Sequence, residues 1–155
     1  MFKNKHVIVA MLVAPVLSIL AWLAVDYFVG ERPHAAKPGS AYPLVAKSNC
    51  RYDSGKCDLA NEDFEITLRA TRIGDARMTL ELLSKFPLQQ STIGMVESGI
   101  EDAPLPMDEM DTNAMRWVAT LPRPDSAEST IRIAVLAEGV TYYAAVPVTF
   151  LQLEF

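Results

Sequence analysis

Two antiparallel sheets packed face to face behind a single membrane-spanning helix are what this sequence predicts, and three observations carry the prediction. The first is Val7 to Val25, an uncharged run whose only polar side chain is Ser18. The second is a series of short alternating segments from residue 64 onward, separated by Gly and Pro. The third is Cys50 and Cys57, the only two cysteines of the chain.

The apolar run, about 19 residues at roughly 1.5 Å each, reaches about 29 Å, close to the hydrocarbon thickness of a bilayer, and a helix satisfies its own backbone there. Lys3 and Lys5 precede it, whereas Asp26 and Glu31 follow it before the first downstream base, Arg32. By the positive-inside bias the N-terminus stays in the cytoplasm and the rest is exported. Trp22, Tyr27 and Phe28 cluster at the outer end, at headgroup level. A cleaved signal peptide is the alternative; the run is longer than a usual signal core and A-W-L-A at 21–24 has the wrong spacing for cleavage. The expected layout is a cytoplasmic segment at 1–6, a signal-anchor helix at 7–29, a Pro-rich linker at 30–43 and a folded domain at 44–155. In a bacterium this places one pass in the inner membrane and the domain in the periplasm, with membrane lipid as the partner of Val7–Val25.

Pro33, Pro38 and Pro43 favour an extended stalk in the linker. Cys50 and Cys57 then flank Asp53-Ser54-Gly55, which predicts a disulfide across a hairpin in an oxidising compartment. A redox dithiol needs C-x-x-C spacing, and a zinc site needs two further ligands, so the structural bond is the expectation.

Strands follow from alternation. A short one is expected at Leu44 to Cys50 and another at Cys57 to Leu59. Phe64, Ile66 and Leu68 mark the next, then a turn at Gly74-Asp75, then Met78, Leu80 and Leu82. Residues 91–97 form another, and Met115 to Leu121 one more, stopped by Pro122 and Pro124. Ile131 to Val135 begins a hairpin that turns at Glu138-Gly139 and returns through Tyr142, Ala144, Val146, Val148 and Phe150, with Pro147 marking an edge or a bulge. The fold class is therefore all-β, an immunoglobulin-like two-sheet sandwich of about seven strands, with a small barrel as the alternative. Trp117 is expected in the core.

Composition narrows the function. Residues 31–155 carry twelve bases against eighteen acids, a charge near −6, so nucleic acid is excluded as a partner for want of a basic stripe. The two histidines, His6 and His34, lie outside the domain. With no nucleophile motif and no phosphate loop either, the chain is not expected to be an enzyme. One stretch stands out, 97–111, with Glu97, Glu101, Asp102, Asp108, Glu109 and Asp111 and no Lys or Arg. It is expected to be a solvated acidic loop whose methionines pack on the end of the sandwich; a calcium loop would need D-x-D-x-D-G. The alternative is a Cu(I) site with Met95, Met107, Met110 and Met115 as thioether donors. No other cofactor is expected.

The order of parts, with P-L-P-M-D-E-M-D, the following R-W-V-A-T-L-P and a closing hairpin, resembles the FixH-like and YtkA-like membrane-anchored proteins. That resemblance implies an exported immunoglobulin-like domain and an accessory role in copper handling or oxidase assembly. The G-x-W signature of that group is missing, and no binding residue carries over. Two functions are thus expected as alternatives: a non-catalytic module that binds another envelope protein, or a Cu(I) chaperone.

Overall fold

A computed structural model describes residues 4–29 and 36–155, in two compact units that divide after residue 35. Residues 1–3 and 30–35, which include part of the expected cytoplasmic segment and of the linker, lie outside the described residues.

The first unit is one helix, α1, Lys5–Val29. Its stretch Lys5–Phe28 is long and apolar enough to cross a membrane, with a mean hydropathy of 2.6. Ser18, its one polar side chain between Val7 and Val25, donates its hydroxyl to the Ala14 carbonyl (2.9 Å), which satisfies that group within the helix. Val9, Leu12, Leu17, Ile19, Trp22 and Phe28 are all exposed.

The second unit is a β-sandwich. Seven strands have six residues or more: β3 Lys56–Asn61, β4 Phe64–Ile73, β5 Arg77–Ser84, β6 Gln90–Glu97, β10 Arg116–Pro122, β11 Thr130–Ala137 and β12 Val140–Pro147. Five more have only two or three: β1 Ala41–Pro43, β2 Val45–Ala46, β7 Ile100–Glu101, β8 Leu105–Pro106 and β9 Asp108–Glu109. One sheet runs β1-β12-β11-β6-β7, with β8 also on β6, and the other runs β2-β3-β4-β5-β10-β9. Strands β4, β5, β10 and β9 facing β12, β11, β6 and β7 reproduce the immunoglobulin order, to which β1, β2 and β3 are added at the N-terminal side.

Each long strand buries one face. On β4, Phe64, Ile66 and Leu68 are buried between Glu65, Thr67 and Arg69; on β11, Ile131, Ile133 and Val135 point in. A fully buried Leu or Ile contributes about 1.5–3 kcal/mol, and Leu68, Leu80, Leu82, Ile93 and Ile131 are each at most 1 % exposed. Trp117 is buried as expected and donates its indole N–H to the Ala114 carbonyl (2.9 Å). At one end Phe64 stacks on Tyr142 with centroids 3.9 Å apart, joining the two sheets. Burial, with the charges of Glu138 and Glu62 nearby, raises the Tyr142 phenol above its ordinary pKa, so it stays neutral.

Four expectations are corrected. The strand expected from Leu44 to Cys50 is only β2, Val45–Ala46, and a 3-10 turn, Ser48–Arg51, follows it. Cys50 and Cys57 do form a disulfide, but it ties that turn to β3 instead of crossing a hairpin. Closing so short a loop stabilises by about 2.5 kcal/mol in the chain-entropy view. The last strand stops at Pro147, and Val148–Leu151 is a second 3-10 turn with Phe150 and Leu151 buried. The cystine loop holds this turn: Thr149 Oγ1 donates to the Cys50 carbonyl (3.1 Å), and Gly55 N–H to the Phe150 carbonyl (2.8 Å). Finally, the stretch read as linker up to residue 43 supplies β1, which lies parallel on β12 at Thr141–Tyr143. That covers three of the eight residues of the edge expected at β12; beyond it Pro147 has no N–H to offer.

The turn at Glu138-Gly139 has positive φ at both residues (50° and 77°), the type I′ geometry that matches strand twist, and Gly supplies the second at no steric cost. Ser98-Gly99 repeats it (50° and 79°) and turns β6 into β7.

Candidate functional site

The two sheets turn their inner faces to the core and leave their outer faces as the broad surfaces of the domain. On the outer face of the β12-β11-β6 sheet a groove of about 540 Å³ opens. Register explains it. Gly94, Arg132 and Ala145 stand side by side in one row, and Thr92, Ala134 and Tyr143 in the next. Gly94, Ala134 and Ala145 give a low apolar floor. Pro43, at the end of β1, walls one side, and Glu101 with Pro104 walls the other. Tyr143 is 46 % exposed. Arg132 pairs with Glu101 (2.7 Å) at the rim. A volume between about 300 and 1,000 Å³ is the usual range for a ligand pocket, with an apolar lining and a few polar groups.

The opposite outer face is polar and internally bonded. Asn49 Nδ2 and Thr67 Oγ1 donate to the two oxygens of Asp58 (2.7 and 2.6 Å). At its centre is Glu81 of β5, on the outward face yet fully buried, with one carboxylate oxygen bonded to Arg69 Nε and the other to Arg116 Nε. Burial by itself raises the Glu81 carboxyl pKa; the hydrogen bonds and charges of Arg69 and Arg116 outweigh it and hold the group below its ordinary value.

The acidic stretch 97–111 is divided among separate tasks. Glu97 accepts from Asp125 N–H (3.1 Å), Glu101 pairs with Arg132, and Asp111 Oδ1 accepts from the N–H of Met115 and Arg116 (3.0 and 3.2 Å). Asp108 and Glu109 form β9 on β10, while Asp102 donates its backbone N–H to the Met95 carbonyl (3.0 Å). Thus 97–111 is not only a loop; it carries β7, β8 and β9 and crosses from one sheet to the other at Met107. That crossing is fixed by Met107 N–H on the Ser91 carbonyl (2.9 Å) and by Ser91 Oγ on the Met107 sulfur (3.1 Å). Met95 is buried on β6, Met107 is buried at the crossing, Met115 is partly covered and Met110 is 54 % exposed. Among the described residues no group of three or more His, Cys, Asp or Glu side chains could hold a metal ion.

No family model and no curated protein matches the sequence. A solved structure described as "Crystal structure of Br derivative BhCBM56" is similar at 12% identity, covering 56% of this chain and 89% of that one, with a TM-score of 0.44. A likeness of that degree transfers no ligand and no activity.

Sequence reasoning missed the groove and the Glu81 triad. A signal for the groove was present: the outward positions Ala134 and Leu136 of β11, with Tyr143 and Ala145 of β12, are apolar, so these strands are apolar on both faces. Glu81 gave no signal, because a carboxylate between Leu80 and Leu82 reads as an ordinary solvent-facing position.

Proposed function

We propose that this chain is a non-catalytic interaction module, anchored in a bacterial inner membrane by α1, that binds another envelope protein in the periplasm through the groove on its β12-β11-β6 face. The observation that carries the reading is the groove itself: a small-residue floor large enough to seat one or two apolar side chains, with Tyr143 and Arg132 at the rim. Tyr and Arg are the residue types that most often dominate binding energy at interfaces. The sheet edges support a face over an edge as the docking surface, because each ends in a strand of two or three residues. The orientation rests on Lys3 and Lys5, as argued from the sequence.

The experiment is co-purification from mildly solubilised membranes with a photo-crosslinking residue in place of Tyr143. A single crosslinked envelope protein is expected, and Ala134→Leu, which fills the floor, should weaken its recovery at least tenfold. Recovery of the chain alone in several mild detergents, with no crosslink, would refute the proposal. An alkaline phosphatase fused after Phe155 should be active; an inactive fusion beside an active cytoplasmic reporter at the same place overturns the orientation.

A further inference from the structure

On the opposite sheet, Arg69 of β4 and Arg116 of β10 reach Glu81 from either side, and both arginine side chains remain about half exposed (49 % and 50 %). We propose that this guanidinium pair, held in place by Glu81, is a receiving site for an oxyanion such as a carboxylate of an acidic peptide or a free phosphate.

Four observations lead there. Glu81 is fully buried and both its oxygens are occupied, so the carboxylate neutralises only one of the two positive charges. A guanidinium has five N–H donors in a planar fork, and Nε, the donor used here, is the one nearest the stem. The terminal nitrogens therefore lie beyond it, on side chains that are each about half exposed. Next, Lys56 stands directly across from Arg69 on the same face and adds a third cation. The acids on this face compete little. Asp58 is occupied by Asn49 and Thr67, Glu65 pairs with Lys47 (2.7 Å), and Asp108 lies on the far strand, across β10 at Val118.

The arrangement also exceeds what stability requires. Apolar residues in place of a buried ion triad are often neutral or stabilising, so packing alone gives no reason for an acid at position 81. What Glu81 does supply is fixed geometry. Two arginines held in place lose less freedom on meeting a planar oxyanion than two free ones would. Repulsion from the acidic domain is screened within about 8 Å at physiological ionic strength, whereas bidentate contact acts at hydrogen-bond distance. This site lies on the other sheet from the groove and does not rest on the function proposed above.

The test uses the full chain in detergent micelles with labelled arginine, reading the Nε–Hε resonances by NMR while adding tetra-glutamate peptide or, in parallel, inorganic phosphate. Saturable shifts at Arg69 and Arg116, with none at Arg132 or Arg123, are expected. Arg69→Lys and Arg116→Lys, which keep the charge and remove the fork, should each weaken binding at least tenfold with the amide spectrum preserved. Tighter binding of the peptide identifies a protein segment as the source, and tighter binding of phosphate a free anion. Absence of saturable shifts in the wild-type chain, or wild-type affinity retained in both Lys variants, overturns the proposal; the wild-type titration decides even if a variant does not fold.

Discussion

The two outer faces of the sandwich obey the same alternation and are opposite in character. Outward positions of β4, β5 and β10 carry Thr67, Arg69, Glu81, Arg116 and Thr120, joined in pairs across the strands; Thr79 and Thr120 hydroxyls, for example, are 3.4 Å apart. Outward positions of β6, β11 and β12 carry Gly94, Ala134, Tyr143 and Ala145, which leave a hollow. One face ties its polar side chains to one another, with the guanidinium groups of Arg69 and Arg116 still half exposed, and the other leaves apolar surface unmatched. "Outward" in a strand pattern therefore does not always mean solvated: Glu81 is outward and wholly buried, whereas Tyr143 is outward and half exposed.

The largest difference should appear on removing an ionic partner from each face. Glu81→Ala leaves two arginines crowded without their shared carboxylate, and should cost about 2–3 kcal/mol, less than a fully buried pair because both arginines can rehydrate. Glu101→Ala on the other face should cost under about 0.5 kcal/mol, since its pair with Arg132 is exposed on both sides. Urea unfolding followed by Trp117 fluorescence, in a Trp22→Phe background, measures both, and equal costs would erase the distinction.

Acid sharpens the same contrast. Because the Glu81 pKa is lowered in the folded state, its contribution is complete above the unfolded value of about 4.3 and is lost as pH falls through the folded value. Stability of the wild type should thus drop below about pH 4 more steeply than that of Glu81→Gln. Parallel pH curves for the two proteins would remove Glu81 as the titrating group.

A smaller effect is expected where the sheets exchange chain. Met107→Leu loses the sulfur that accepts from Ser91 but conserves volume, so it should cost under about 1.5 kcal/mol, and Met110→Leu close to nothing. An anaerobic Cu(I) titration of the full chain in detergent decides between packing and ligation. A stoichiometric site abolished by the Leu pair would move copper handling ahead of the interaction module.

A comparably small change is expected at the groove floor. A Cβ at Gly94 would meet Asp102 O and Pro104 Cα at 3.7 Å, ordinary contact. Gly94→Ala should then shift stability by no more than about 0.5 kcal/mol in either direction. A loss above about 2 kcal/mol in thermal unfolding would mean that the covering segment 102–104 is packed more tightly than this.

What the sequence made legible was set by periodicity. The apolar helix, the seven long strands, the Glu138-Gly139 turn and the cystine were readable because each rests on a local pattern. Two-residue strands such as β8 and β9 have no period to detect; they exist because Met107 carries the chain from one sheet to the other. The Ser98-Gly99 hairpin was readable in principle, since Ser-Gly is a turn dipeptide, but the acids around it read as a solvated loop. The Glu81 triad joins residues 69, 81 and 116, and only strand register brings them together.

The five short strands have a further consequence for behaviour at high density. A sheet edge with a long row of free N–H and C=O groups templates another chain, and that hazard grows when molecules are confined to a surface and collide side by side. Here the four sheet borders, β1, β2, β9 and β7 with β8, are too short to seed a cross-β stack, and the stretches of β12 and β10 that they leave uncovered end in Pro147 and Pro122. Crowded copies can therefore touch through their faces without fusing through their backbones, so contacts between them stay reversible.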